Sequence, residues 1–503
     1  MHICVEEQAI LNKISKGATL LLVGIVISKI FTYFYRVVIA RYLGADIYGL
    51  FSIGLAVIGI LLSISLVGLP QGILRYVSYY YGKQDEKSVH AVINNAFKII
   101  LPLSLLFAFL LFIFAKWISI YFFHSPNIAN VLKIMSFAIP LSALATGMDY
   151  SLQAFQKIKY LVIARNIIEP VSKVILSLLI IFLGYGLIGI AFVYVFSLIV
   201  AALLMAYFLR RTISFRKIVS ASPTFYKRLL YFSLPLMLSD LFIALLLWSD
   251  TLILGYFVPA VQVGIYNAAI PTARLIYTIP VALRTLFIPT ISGMYAQKKD
   301  FNSIYGTISK WMFLVGVPSV LLLCLYSRPI LSILFGKVFI GGYLVLILIA
   351  ISFFIHSLML TSETILMIIK RTRLILLNTA LAVSLNLLLN VILIPKYEIL
   401  GAAIATSASF LLMSILIAIE TYYLTKLIPL KTDYLKCLVS AALPFGLLLY
   451  LGTYINTYTF VGLACLSAVY VGLYLILLKL TRALGAEEIS LISAAWQKLK
   501  GKF

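Results

Sequence analysis

Lys29, Tyr33 and Arg36 fall at i, i+4 and i+7, on one face of a helix whose other residues are nearly all apolar. Arg274, Tyr277 and Arg284, at i, i+3 and i+10, lie close to one face of a second apolar helix. A charge near a bilayer centre costs roughly 2.5–3.5 kcal/mol on insertion scales, so such residues face a cavity or a partner. Arginine matches phosphate oxygens bidentately and lysine supplies a point charge. The chemistry these cations suit is recognition of a phosphate-bearing ligand. Lys29, Arg36, Arg274 and Arg284 are therefore the candidate lining of a cationic substrate cavity. Lys98, Lys310 and Arg75 sit nearer helix ends, where snorkelling or pairing is expected, and Arg41 is a boundary residue.

The acids inside apolar runs are few: Asp149, Glu169, Asp240, Asp250, Glu363 and Glu420. Asp250, Asp240, Glu363 and His356 are the candidates for ion coupling or gating, with His356 and Glu363 at i, i+7. Arg165, Glu169 and Lys173, at i, i+4 and i+8, read as a self-contained ion triad with one surplus positive charge. Asn378, Asn386 and Asn390 form a stripe on one helix, the pattern of interhelical hydrogen-bonding glue. The four cysteines lie far apart without a C-x-x-C, so neither a disulfide nor a metal site is expected. No phosphate-binding G-x-x-x-x-G-K-[ST], H-E-x-x-H or G-x-S-x-G occurs, and connections of about twenty residues at most leave no room for a catalytic domain. The sequence predicts no enzyme and no cofactor.

What positions these residues is a membrane scaffold. The chain has 503 residues, 63% hydrophobic and 11% charged, a balance no soluble domain carries. Its apolar blocks run about 20–27 residues, the length of a membrane-crossing helix, and the short alternating segments of a β-barrel are missing. The segmentation predicts an all-α polytopic membrane protein of about fourteen spans. They lie near 17–41, 47–69, 91–115, 129–155, 158–184, 186–209, 229–256, 264–292, 304–326, 342–368, 374–395, 398–424, 434–454 and 459–480. Residues 68–82 are expected to prolong span 2 past Pro70, and PILSILF within 327–341 to be interfacial. The first apolar run lacks a cleavage pattern and is expected to remain.

The net charge of +24 is spread over short loops. That distribution fits topology and attraction to anionic lipid headgroups, and not nucleic-acid binding. Cations collect on one side, which predicts a cell-membrane protein with both termini in the cytoplasm. The tail carries Ile489, Ile492, Trp496, Leu499 and Phe503 at helical spacing beside Lys498, Lys500 and Lys502, the pattern of an amphipathic helix on the inner membrane surface.

Sliding the chain on itself exposes a repeat. At an offset of 215, Ala45, Gly49, Tyr80, Lys83 and Asp85 meet Ala260, Gly264, Tyr295, Lys298 and Asp300. At an offset of 212, YGLIGIAFVYVFS (185–197) overlays YEILGAAIATSAS (397–409), and Asn166 meets Asn378. Six spans separate the copies, so the repeat is parallel. The expected domains are an N-lobe (1–209), a basic linker (210–228), a C-lobe (229–427), two extra spans (428–480) and the tail (481–503). Asp250 falls one position off the repeat mate of Arg36, so a cation in one lobe answers an anion in the other, as a gate or an ion site. Parallel lobes of this kind imply alternating access around a site between them.

The first-helix exit ARYLGADIYGLFS (40–52), the end of span 2 LVGLPQGILRYVSYYYG (66–82) and YEILGAAIATSAS (397–409) resemble the polysaccharide transporter branch of the multidrug/oligosaccharidyl-lipid/polysaccharide flippase superfamily, the Wzx-like oligosaccharide flippases. The resemblance covers nearly the whole chain. It implies translocation of a polyprenyl-diphosphate-linked oligosaccharide from the inner to the outer leaflet, coupled to H⁺ or Na⁺, by a protein expected to be a monomer. Lys29, Arg36 and Arg274 correspond by location to the cavity cations of that branch. The alternatives are a lipid II or sporulation-type flippase, a drug/cation antiporter of the same superfamily, and a nontransporting scaffold.

Overall fold

The computed structural model describes residues 2–213, 223–427, 433–452, 454–481 and 483. Among them the chain is helices and turns with no strand. The amphipathic tail and most of the basic linker lie outside the described residues.

The helices are α1 (His2–Leu66), α2 (Leu69–Gly82), α3 (Glu86–Trp117), α4 (Ile128–Ser136), α5 (Ala138–Ala154), α6 (Ile158–Leu161), α7 (Glu169–Phe182), α8 (Gly186–Thr212) and α9 (Pro223–Phe257). There follow α10 (Ala260–Arg274), α11 (Thr278–Ala296), α12 (Asn302–Leu325), α13 (Ser327–Leu334), α14 (Tyr343–Leu358), α15 (Leu360–Ile368), α16 (Thr372–Thr425), α17 (Asp433–Leu451) and α18 (Phe460–Leu480). Among the described residues, ten stretches are long and apolar enough to cross a membrane. Two of these each contain two of the expected spans. α1 is broken at Gly44 (φ 85°, ψ 173°) and α16 at Glu398 (φ 49°, ψ −127°). The two expected spans not among the ten are helical as well, but irregular. One runs through α6, the π-helical Val162–Ile168 and α7, and carries Arg165, Glu169 and Lys173. The other runs through α10, the 3₁₀ turn Leu275–Tyr277 and α11. All fourteen expected spans thus have helical counterparts, and the broken ones hold intramembrane charge.

Local chemistry sets the ends. The Asp85 carboxylate accepts from Ser88 N at 3.0 Å and opens α3, and Thr459 does the same for α18 through Gly462 N at 3.2 Å. Val67 and Gly68 take positive φ after α1, and α2 starts with Pro70 in its first turn, so Leu69–Gly82 forms a separate helix. PILSILF falls in the short α13 and the residues after it.

Left-handed backbone positions recur in both halves of the chain. Gln84 and Lys298, His124 and Gly336, Gln156 and Lys370, and Gly186 and Glu398 all have positive φ. Each pair lies within two residues of the offset at which the sequence overlays itself. These conformations are uncommon for residues other than glycine, so their recurrence is a backbone trace of the repeat.

By contacts the chain divides into two compact units, Met1–Ala268 with Val383–Ala405, and Ala269–Ala382 with Thr406–Phe503. In the first, α2, α3, α5 and α8 close around Ile73, Val92, Ile93, Leu152 and Met205, all buried. In the second, α17 and α18 are fastened to α12: Tyr474 donates to Leu314 O at 2.9 Å, and the Phe313 and Tyr434 rings stand 4.7 Å apart. Large apolar side chains such as Leu105, Phe109 and Ile113 on α3 point outward, as suits helices that meet hydrocarbon instead of water.

Candidate functional site

Asp250, near the end of α9, is buried at 2% exposure. Tyr266 on α10 donates to its Oδ2 at 2.5 Å, and Asn386 and Asn390 on α16 donate to its Oδ1 at 3.1 and 2.6 Å. The i, i+4 spacing puts both amides on one face of α16. Ser249 and Asn390 in turn donate to Asn386 Oδ1 at 2.8 and 3.0 Å. Asn390 Oδ1 is buried and accepts nothing from the protein. Buried carbonyl oxygens beside a carboxylate are donors suited to a hard monovalent cation or to a shared proton.

Arg36 lies against Tyr48. The Tyr48 hydroxyl donates to Asn267 O at 3.0 Å, and Thr251 donates to Asn267 Oδ1 at 3.2 Å. A polar path therefore runs from Arg36 to the residue beside Asp250. Two close backbone approaches hold it in place. A Cβ on Gly49 would come within 1.9 Å of Ala260 O, and one on Gly264 within 2.0 Å of Ala45 O. Only glycine permits that separation. Lys29, two turns before Arg36, is exposed, and Tyr33 between them is half-buried. Asp240, further back on α9, accepts from Gln71 at 3.3 Å. Gly68 makes this contact possible, because its Cα packs against α9 where a Cβ would meet Ser233 O at 2.3 Å.

The second unit gathers the other predicted residues. Arg284 on α11 pairs with Glu363 on α15 at 3.1 Å, with both side chains largely covered. Arg274 ends α10 and Tyr277 closes the 3₁₀ turn after it; the Tyr277 hydroxyl is buried without a hydrogen-bond partner. Its ring packs on Phe353 at 5.1 Å and near His356 at 6.0 Å. His356 Nδ1 lies 3.1 Å from Ser414 Oγ, which already donates to Phe410 O at 2.7 Å. Nδ1 therefore carries the hydrogen and donates to Ser414. His356 and Glu363, expected seven residues apart on one span, stand on separate helices with separate partners. Interrupted helices with charge at the break are a common way to build transporter binding sites.

The Arg165 cluster differs from its expected form. Glu169 accepts from Arg165 Nη1 at 2.8 Å and Lys173 Nζ at 2.7 Å, and Asp149 on α5 joins as a fourth member, 3.6 Å from Arg165 Nε. The surplus positive charge is thereby balanced. Asp149 lies on the preceding span, so spacing within one helix could not reveal it. Tyr266 and Gln71 are likewise partners that helical periodicity does not find. The Asn386/Asn390 pair was visible as a stripe, but its role as the amide shell of Asp250 was not. Among the described residues no group of histidine, cysteine and acidic side chains has the form of a metal site.

A family model described as "Polysaccharide biosynthesis protein" matches residues 14–295, more than half of the chain. A protein of Shigella flexneri assigned as an O-antigen transporter is 26% identical over 389 residues, covering 75% of this chain and 90% of that one. A protein of Haloferax volcanii assigned as the low-salt glycan biosynthesis flippase Agl15 is 28% identical over 233 residues, 45% of this chain and 47% of that one. Among solved structures, the lipid II flippase MurJ in an inward closed conformation superposes with a TM-score of 0.76 over 91% of this chain and 98% of its own, at 18% identity. An inward-facing multidrug transporter of the MATE family and MOP superfamily gives 0.65 over 81% and 99%, at 14% identity. These structures share the fold.

Proposed function

This chain belongs to the polysaccharide biosynthesis protein family, and from that premise we propose that it moves a polyprenyl-diphosphate-linked oligosaccharide from the inner to the outer leaflet of the cell membrane, with both termini in the cytoplasm. It is a multi-pass membrane protein, and two of its relatives are assigned as an O-antigen transporter and a glycan biosynthesis flippase. The observation that carries the finer reading is the set of cations kept on apolar helices at Lys29, Arg36 and Arg274. Their insertion cost is repaid by a ligand of high negative charge. In this reading they bind the diphosphate, while the sugar occupies water-filled space and the prenyl chain stays in lipid. Arg284, already paired with Glu363, exchanges that partner for phosphate as part of the access cycle.

The coupling ion, H⁺ or Na⁺, is taken to bind at Asp250, where Asn390 Oδ1 supplies an uncommitted acceptor beside the carboxylate. Asp240, Glu363 and His356 serve gating and not ion binding, since each is held by a single partner from another helix.

The test is purified protein in vesicles carrying a polyprenyl-diphosphate oligosaccharide, with glycan on each leaflet read by a soluble glycan-binding reagent. The protein should speed exchange of this lipid. Exchange no faster than in empty vesicles, together with efflux of an organic cation dye, would instead favour the drug-antiporter alternative.

A further inference from the structure

The ionic cluster around Arg165 shares no residue with the Asp250 shell or the Arg284 pair. Its helix is irregular: Val162–Ile168 is π-helical between α6 and α7, and such segments occur frequently at functional sites. Glu169 is fully engaged by Arg165 and Lys173, and Lys173 also sits over the Tyr194 ring at 4.5 Å. Asp149 is engaged far less. Its Oδ2 lies 3.6 Å from Arg165 Nε, too long for a hydrogen bond. Its Oδ1 is buried and accepts no hydrogen bond from the protein. Arg165 is the most open member, with 28% of its side chain exposed against 15% for Asp149 and 9% for Glu169. One edge of the guanidinium is committed to Glu169; the Nε edge is restrained by charge alone.

We propose that Asp149 and Arg165 form a proton-gated anion site: ionised Asp149 holds the Nε edge of Arg165, and protonated Asp149 releases it to take two oxygens of a diphosphate group. The choice of ligand rests on the flippase reading. With Asp149 ionised, two cations and two anions cancel. A proton from water, added to the carboxyl of Asp149, leaves one net positive charge beside a partly exposed arginine, whose guanidinium matches a pair of phosphate oxygens. The charged groups facing Asp149 are Arg165 and Glu169, with Lys173 reaching it through Glu169. Tyr150 neighbours it on its own helix, and Tyr194 on α8 faces Arg165. Among the described residues, α1, α2, α3 and α4 also pack on α5, while the charges that act on this carboxyl are those of Arg165 and Glu169. Linkage is reciprocal, so binding the anion must draw a proton onto Asp149 as surely as the proton favours the anion.

The test uses the full chain in detergent and farnesyl diphosphate as the probe, titrated from mildly alkaline to mildly acidic solution. The probe's own phosphates ionise in that range, so the informative quantity is the difference between wild type and Asp149→Asn. At alkaline pH, Asp149→Asn should bind about tenfold more tightly than wild type, and the two should converge at acidic pH. Arg165→Gln should abolish the difference. A second measurement in weakly buffered solution stands on wild type alone: binding should take up about one proton beyond those the probe itself exchanges. Equal affinities of wild type and Asp149→Asn at alkaline pH, or no excess proton uptake, overturn the gate and leave the flippase reading standing. Failure of wild type to bind the probe at any pH overturns both.

Discussion

At the residue scale, the chain keeps each buried acid in a different kind of hold. Asp250 is held by neutral donors, Glu363 by one arginine and Glu169 by two cations. The differences predict different mutants. Asp250→Asn keeps the shape of its shell but not the charge, so the protein should fold and bind substrate while its flipping no longer responds to an imposed Na⁺ or H⁺ gradient. Vesicle assays with and without the gradient read this directly; a variant that still responds would remove Asp250 from the coupling step. At the Arg284–Glu363 pair, removing one partner strands a covered charge. Glu363→Ala should therefore destabilise by about 3–5 kcal/mol, while the double replacement of both residues by methionine should cost much less. Thermal unfolding in detergent ranks the two, and a double variant worse than the single would contradict the pairing.

At the element scale, the repeat produces a reciprocal contact. Gly49 meets the carbonyl of Ala260 and Gly264 meets the carbonyl of Ala45, and these four residues are two repeat pairs at one offset. Gly49→Ala and Gly264→Ala should each force backbone apart and destabilise by about 1–3 kcal/mol. Gly446→Ala, where a Cβ would meet nothing within 4 Å, should be neutral or slightly stabilising. Detergent melting temperatures of the three variants provide the comparison, and equal values would deny the close approach its structural role. The elements themselves were largely legible in the apolar blocks, because a crossing helix must be long and greasy whatever it packs on. Their interruptions were less so. The π-helical stretch at Val162–Ile168 and the 3₁₀ turn at Leu275–Tyr277 coincide with charges that lower mean hydropathy, and backbone geometry leaves no periodic mark in the sequence. Positive φ at Glu398 was hidden for a plainer reason: the residue is not glycine, whereas its repeat mate Gly186 is.

At the scale of the whole molecule, the sequence revealed the membrane class, the repeat and the resemblance that the family match bears out. The candidate cations were legible too, since a lysine or arginine in hydrocarbon is conspicuous. Their partners were not. Asn386 and Asn390 reach Asp250 from 136 and 140 residues away, and Asp149 reaches Arg165 from the preceding span. Contacts of that kind depend on how helices pack, which periodicity along one helix does not encode. What unites the chain is a division of labour: apolar faces suit it to the bilayer, and the acids among its apolar helices are held by side chains from other turns or other helices. The central claim is that Lys29, Arg36 and Arg274 recognise the diphosphate of a lipid-linked glycan. The most direct measurement compares wild type with the Lys29→Ala, Arg36→Ala, Arg274→Ala triple variant, reconstituted at equal amounts in vesicles loaded with polyprenyl-diphosphate oligosaccharide. The account predicts a loss of at least about 100-fold in exchange rate, as expected when several charge-assisted phosphate contacts of about 1.5–3 kcal/mol each are removed; exchange at the wild-type rate would contradict it.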